Sequence, residues 1–119
     1  MLYHITPVPK PRMTRRDKWL KHPRAPVAQY RRFCEEVRAA KVRLAPSGCR
    51  VTFFLPMPES WSARKRRVTR GMPHMVRPDL DNLTKALLDA LYENDAIVYS
   101  ISLAKFWEEE GKIVIEEER

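Results

Sequence analysis

Hydrophobic and polar residues alternate along this chain in patterns that predict two helices and several strands. The clearest helical pattern runs from Asp79 to about Tyr92, where four leucines recur at spacings of three and four and share one face: Leu80, Leu83, Leu87 and Leu91. Pro78 favours extended backbone before this helix, and Asp79 then suits the N-cap position. The pattern therefore predicts an amphipathic helix with a well-defined start.

A second helix is predicted from Val27 to about Leu44, because apolar residues again recur with a helical period before a turn at residues 45–48. Alternating, β-branched or aromatic runs predict four strands: Leu2–Thr6, Cys49–Leu55, Ala96–Trp107 and Lys112–Glu116. The last two flank an acidic turn at residues 108–111 and are predicted to pair as a hairpin. Phe53 and Phe54 are expected in the core. Together these elements predict one small α+β domain over residues 1–119 with two main helices.

Two long segments between these elements are strongly basic. The first, residues 7–26, carries a single acid, Asp17, against seven basic residues: Lys10, Arg12, Arg15, Arg16, Lys18, Lys21 and Arg24. The second, residues 56–76, carries five: Arg64, Lys65, Arg66, Arg67 and Arg70. Solvated loops are one interpretation, but the bias in sign favours contact with phosphates. Trp19 is expected to anchor the first loop, with stacking on a base as the alternative. The roles of Trp61 and His74 stay open, a metal ligand being one alternative for His74.

The composition agrees with a protein that binds a polyanion. The chain has 119 residues, a net charge of +8 and a pI near 9.9, which favours nucleic acid first and an anionic membrane surface second. No apolar run approaches the roughly 20 residues of a membrane span, and no signal peptide opens the sequence. Cys34 and Cys49 have no zinc-binding spacing, so free, packed thiols and a cytoplasmic location are expected.

Three acids and one lysine around the helix at 79–92 are the candidates for chemistry. Asp79 and Asp81 lie at its start, Lys85 follows Asp81 by one turn, and Asp95 comes after its end. One interpretation is structural: a helix cap and a solvated pair between Asp81 and Lys85. The other is a magnesium site, because Mg²⁺ is usually held by one or two carboxylates together with water and phosphate oxygens. The Asp-x-Asp spacing alone does not decide between them.

The order of these parts resembles the RusA family of Holliday junction resolvases, which is common in phages and prophages. The resemblance covers nearly the whole chain and is strongest from Arg77 to Val98. There the sequence reads Arg-Pro-Asp-Leu-Asp-Asn-Leu-x-Lys-Ala-Leu-Leu-Asp-Ala-Leu, followed by Asn-Asp-Ala-Ile-Val. Residues 7–14 and 61–74 resemble the branch found in phage genomes. The resemblance implies a mixed β-sheet flanked by helices.

On this resemblance, Asp79, Asp81 and Asp95 hold Mg²⁺, with Mn²⁺ as an alternative, and Lys85 is the essential lysine. The family implies a homodimer that cuts four-way DNA junctions symmetrically, in DNA recombination and repair. DNA contacts are expected at basic residues of both loops and before the helix: Arg12, Arg15, Arg16, Lys18, Arg64, Lys65, Arg66, Arg67, Arg70 and Arg77.

Two positions depart from the family pattern. Pro78 stands where the best-known type has a basic residue, so Arg77 is the nearest candidate for that contact. Asn94 precedes Asp95 where two consecutive acids often occur, which leaves Glu93 as the alternative third acid. Two other functions stay open: a non-catalytic DNA-binding protein, and a nuclease that acts on forks or flaps.

Overall fold

The computed structural model describes residues 1–12, 14–18 and 22–118, and for residue 18 it describes the backbone alone. In this part of the chain the strands are β1 Leu2–Tyr3, β2 Cys49–Pro56, β3 Ile101–Glu108 and β4 Lys112–Glu117. The helices are α1 Ala25–Ala39, α2 Ala63–Thr69 and α3 Leu80–Leu91, with 3₁₀ turns at Arg15–Lys18 and Asp95–Ile97. The predicted α+β class is confirmed.

The four strands form one mixed sheet in the order β1-β4-β2-β3. Strand β4 runs antiparallel to both β1 and β2, whereas β3 runs parallel to β2. The predicted hairpin between β3 and β4 is wrong, because β2 lies between them and pairs with both. The turn at 108–111 therefore crosses the end of β2. It passes so close to Thr6 that a Cβ on Gly111 would lie 2.4 Å from the Thr6 hydroxyl oxygen, which explains a glycine there.

The core lies on one face of the sheet, beneath helices α1 and α3. Val51, Phe53 and Leu55 alternate along β2 and are buried against this layer, together with Leu83 and Leu87 of α3 and other residues of α1 and β4. Phe54 points to the opposite face because side chains alternate along a strand, so it is only half-buried and its prediction as core is wrong. None of the outward-facing residues on the four described strands is fully buried.

Helix α1 is shorter than predicted. It begins at Ala25, with Pro26 in the first turn where a missing N–H costs nothing, and ends at Ala39. Lys41, expected on the helix, instead adopts a left-handed backbone conformation with φ of 52°, which turns the chain away from the helix axis. Cys34 of this helix and Cys49 are both free and buried, as predicted.

Two predicted segments differ from the structure for local reasons. Part of the second basic loop forms α2, capped by Ser62, whose hydroxyl accepts a hydrogen bond from the Lys65 N–H at 3.2 Å. The strand expected from Ala96 begins only at Ile101, because Asn94 accepts a hydrogen bond from the Ala96 N–H and closes a 3₁₀ turn. None of the helices in residues 1–12, 14–18 and 22–118 has the length and apolar character needed to cross a bilayer.

Candidate functional site

The start of α3 presents two carboxylates to solvent. Asp79 occupies the N-cap position with extended backbone angles, and its carbonyl oxygen accepts the Leu83 N–H at 3.1 Å. Its side chain, however, makes no capping hydrogen bond, in contrast to Ser62 at the start of α2. Asp81 uses only Oδ1, which accepts the Asn82 N–H at 3.0 Å. Capping therefore leaves the Asp79 carboxylate and one oxygen of Asp81 unused.

Asp95 lies toward the other end of α3. It opens the 3₁₀ turn rather than a strand, and it follows Asp89, which lies in the last turn of α3. Since Asp89 follows Asp81 by eight residues, about 12 Å of helix axis separates those two positions. The structure thus places Asp79 and Asp81 at the same end of α3 and Asp95 beyond its other end. Glu93 is exposed between α3 and the turn.

The donors suit Mg²⁺ in chemical type, because exposed carboxylate oxygens are the hard ligands that this ion prefers. Asp79 and Asp81 supply two such groups, two residues apart at one helix start. Within the described residues, no group of three or more His, Cys, Asp or Glu side chains stands close enough to hold a metal ion. The three-carboxylate ligand set therefore stays a prediction, of which Asp79 and Asp81 share one helix end.

Lys85 lies on the polar face of α3 between Asp81 and Asp89. Its Nζ is 3.8 Å from Oδ2 of Asp89, one turn further along the helix. The partner expected from the sequence was Asp81, but the ion pair in the described structure is with Asp89. The Lys85 side chain is 58% exposed, so its ammonium is accessible from solvent.

The backbone that leads into α3 is held by a residue that the sequence analysis missed. Lys105 of β3 donates from Nζ to the carbonyl oxygens of Val76 and Pro78, at 2.6 and 2.8 Å. The peptide bond between Arg77 and Pro78 is cis. One sequence signal could have marked this contact. It is the presence of a lysine on the core-side face of a strand, between Leu103 and Trp107.

Aromatic residues anchor the second basic loop. The His74 ring packs on Trp107 at a centroid distance of 4.2 Å, and Trp61 packs on Trp107 at 4.9 Å. Lys65 lies over the Trp61 ring at 4.0 Å. Burial, followed by the charge of Lys105, lowers the pKa of His74 and favours the neutral ring. The structure thus places Trp61 and His74 in an anchoring stack.

The five basic residues of this loop divide into two groups. Arg66 donates to the Pro58 carbonyl oxygen at 2.7 Å and to Glu109 at 3.0 Å, and Arg70 donates to Glu108 at 2.6 Å. These two arginines tie α2 to the acidic turn that follows β3. The others are exposed on α2 and are the stronger candidates for phosphate contact: Arg64, Lys65 and Arg67.

The first basic loop contains an internal ion pair. Asp17 is 1% exposed and accepts hydrogen bonds from Nε and a terminal nitrogen of Arg24, at 2.9 and 2.8 Å. These bonds, followed by those from Thr14, hold the pKa of Asp17 well below its usual range. Arg24 is therefore structural, whereas three predicted DNA contacts of this loop are exposed: Arg12, Arg15 and Arg16. Trp19 and Lys21 lie outside the described residues, as does the side chain of Lys18.

A cleft of about 590 Å³ opens beside the start of α3. It runs between the N-terminal proline segment, α1 and the chain around Pro78. Arg77, the predicted substitute for the family's basic residue, lines this cleft together with Arg32 of α1 and His74. Two guanidinium groups thus line the cleft, and one of them belongs to Arg77, two residues before Asp79.

We expect that replacing both Arg64 and Arg67 with alanine weakens DNA binding and makes this binding less dependent on salt. The two residues are three apart on α2 and share one exposed face. If each contacts a phosphate, the slope of log K against log salt should fall by about 0.9 per residue. Filter binding across a salt series measures this slope. Arg66→Ala is the matched control: it should lower the melting temperature, because it loses its bonds to Pro58 and Glu109. An unchanged slope in the double variant would mean that Arg64 and Arg67 are merely solvated.

Taken together, the fold and site describe a basic α+β domain with two exposed carboxylates at the start of a helix and a lysine on its polar face. Comparison with known families agrees: residues 3–117 match the family described as Endodeoxyribonuclease RusA. The chain belongs to this family. It is also similar to the uncharacterized protein YqaN of Bacillus subtilis (strain 168), with 29% identity over 86 residues, or 66% of this chain. That match spans 61% of the relative's own length.

Proposed function

We propose that this protein is a magnesium-dependent endodeoxyribonuclease that resolves four-way DNA junctions by paired phosphodiester hydrolysis. The chain belongs to the RusA family, and one structural observation supports the proposal beyond that membership. Asp79 and Asp81 both lie exposed at the start of α3 with carboxylate oxygens that no cap uses, and an exposed lysine follows Asp81 by one turn. These exposed oxygens are of the type that Mg²⁺ prefers and are accessible to a metal ion.

In this proposal Asp79 and Asp81 hold Mg²⁺, and Asp95, or Glu93 in its place, supplies the third carboxylate. The chemistry that Mg²⁺ supplies when bound is polarisation of a phosphate oxygen and acidification of water. Mn²⁺ has the same preference for oxygen ligands and is expected to substitute. Lys85, fixed on the same helix face, stabilises the charge that develops on the phosphate during hydrolysis.

The chain's basic surface brings DNA to these acids. The exposed arginines of the first loop and of α2, with Arg77 beside the cleft, neutralise phosphates and orient the backbone. Symmetric cuts on two strands require two sites, and a two-fold homodimer would match the symmetry of a four-way junction. We expect the free protein to sediment as a dimer, with twice the mass of the chain.

The decisive experiment is cleavage of a synthetic four-way junction labelled on each strand in turn, with MgCl₂ or with EDTA. We expect paired cuts at symmetry-related positions in Mg²⁺ and none in EDTA. A linear duplex of the same sequence is the negative control, while a fork and a flap test the alternative substrates. Equal cutting of forks or flaps would replace the proposed substrate. Binding without any cutting, identical in EDTA, would show a non-catalytic DNA-binding protein.

A further inference from the structure

Two lysines from different parts of the chain converge on one oxygen atom. Nζ of Lys10, in the first basic loop, is 2.9 Å from Oδ2 of Asp89, and Nζ of Lys85 is 3.8 Å from the same oxygen. Neither Lys10 nor Asp89 was singled out as a site residue from the sequence. The convergence places two ammonium groups side by side on the polar face of α3.

Lys10 is fixed in this position by four contacts. Its backbone N–H donates to the Asn82 carbonyl oxygen at 3.3 Å, which joins the loop to the first turn of α3. Its Nζ donates to Asp89 and to the Tyr30 hydroxyl, the latter at 3.1 Å, and lies 4.5 Å above the centre of the Tyr30 ring. Burial acts to lower the pKa of Lys10, but the bonds to Asp89 and Tyr30 outweigh it and raise the pKa. The ammonium therefore stays charged in a defined place.

The single carboxylate of Asp89 neutralises only part of the positive charge of Lys10 and Lys85. At 3.8 Å, Lys85 is beyond normal hydrogen-bond distance from Asp89, and its 58% exposed side chain keeps N–H donors free for another acceptor. Asp89 itself is 22% exposed. Burial alone would raise its pKa, but the hydrogen bond from Lys10 and the charges of both lysines lower it, so the carboxylate is ionised. Two cations are thus arranged around an anionic oxygen before any DNA is bound.

We propose that Lys10 and Lys85 form one binding site for a DNA phosphate, and that Asp89 is the positioning residue that holds both ammonium groups for it. The proposal rests on the proposed function and extends it, because it adds a second phosphate-binding lysine and names the residue that orients the pair. Lys85 lies one turn from Asp81 and one turn from Asp89. A phosphate that reaches the polar face of α3 beside Asp89 meets both ammonium groups. Donors placed in advance stabilise developing charge without reorganisation during the reaction.

Lys10→Ala tests the phosphate contact. We expect the slope of log K against log salt for junction binding to fall by about 0.9, the loss of one phosphate contact. Single-turnover cleavage at saturating protein should slow by roughly tenfold or more, because one preorganised donor is lost. Lys10→Arg keeps the charge and should keep the slope, which makes the test independent of how well the alanine variant folds. Lys112→Ala on the outward face of the sheet removes the same charge and should leave the cleavage rate unchanged.

Asp89→Asn tests the positioning role. This variant keeps the shape of the side chain and removes no phosphate contact, so the salt slope should stay the same and junction binding should be equal or tighter. The cleavage rate should nevertheless fall, because both lysines lose the charge that orients them. The double variant Lys10→Ala with Asp89→Asn should be less impaired than the product of the single effects, since the residues act as a unit.

The outcome that overturns the inference is specific. If Lys10→Ala lowers the melting temperature but leaves both the salt slope and the single-turnover rate unchanged, Lys10 is only a tether for the loop. If the wild-type protein cleaves no branched DNA, the proposed function fails, and the slope measured on junction binding still decides whether Lys10 contacts phosphate. A normal cleavage rate in Asp89→Asn would remove the positioning role.

Discussion

Replacing Asp81 with asparagine should abolish cleavage of a four-way junction while binding stays intact or becomes tighter. The change removes one of the two carboxylates at the start of α3 expected to hold Mg²⁺ and also removes a negative charge near the DNA phosphates. The asparagine oxygen can still accept the Asn82 N–H that Oδ1 of Asp81 accepts at 3.0 Å. The start of α3 should therefore be preserved, and the melting temperature should change little.

Gel-shift and cleavage assays on the same preparation measure the two effects separately. Asp79→Asn should behave in the same way, because the Asp79 side chain makes no capping bond that the variant could lose. Ser62→Ala is the contrasting control: it removes a real cap at α2 and should cost about 1 kcal/mol of stability without abolishing the chemistry. Loss of binding, cleavage and thermal stability together in Asp81→Asn would favour a structural role for this acid.

Lys85→Ala should reduce the single-turnover cleavage rate by roughly a hundredfold or more, with thermal stability almost unchanged. The ion pair with Asp89 spans 3.8 Å on an exposed helix face, and such pairs contribute about 0.5 kcal/mol or less. A large effect on rate with a small effect on stability would therefore place the Lys85 ammonium against the reacting phosphate.

Lys85→Arg tests the geometry of that contact. The charge is kept, but a planar guanidinium does not replace a compact ammonium in a tight site, so this variant should be badly impaired as well. Measuring at saturating protein separates the rate from binding. A rate close to that of the wild type in Lys85→Ala would remove Lys85 from the catalytic residues and leave the carboxylates to carry the chemistry.

The strongest local patterns in the sequence predicted their elements well. The leucine spacing identified α3 to within a residue at each end, because a helical period is a property of neighbouring residues. The β-branched and aromatic run identified β2 in the same way. The Ser62 cap of α2 was also present in the sequence, but a run of basic residues without an apolar stripe concealed the helix. The strand predicted from Ala96 began too early, because the Asn94 side chain accepts a hydrogen bond from the Ala96 N–H and holds a 3₁₀ turn in place of extended backbone.

By itself, the sequence determined the class of fold, the position of the two acids and Lys85 on one helix, and the basic character of both long loops. These features depend on residue type and short spacing. Strand order was decided only by tertiary structure, because β2 enters between two strands that are adjacent in the chain. Tertiary contacts also decided which basic residues are engaged: Arg66 and Lys105 bond to partners 43 and 27 residues away in the chain, whereas others remain exposed. The meeting of Lys10 with Asp89, which are 79 residues apart, likewise has no local signal, since only the packing of the first loop on α3 creates it.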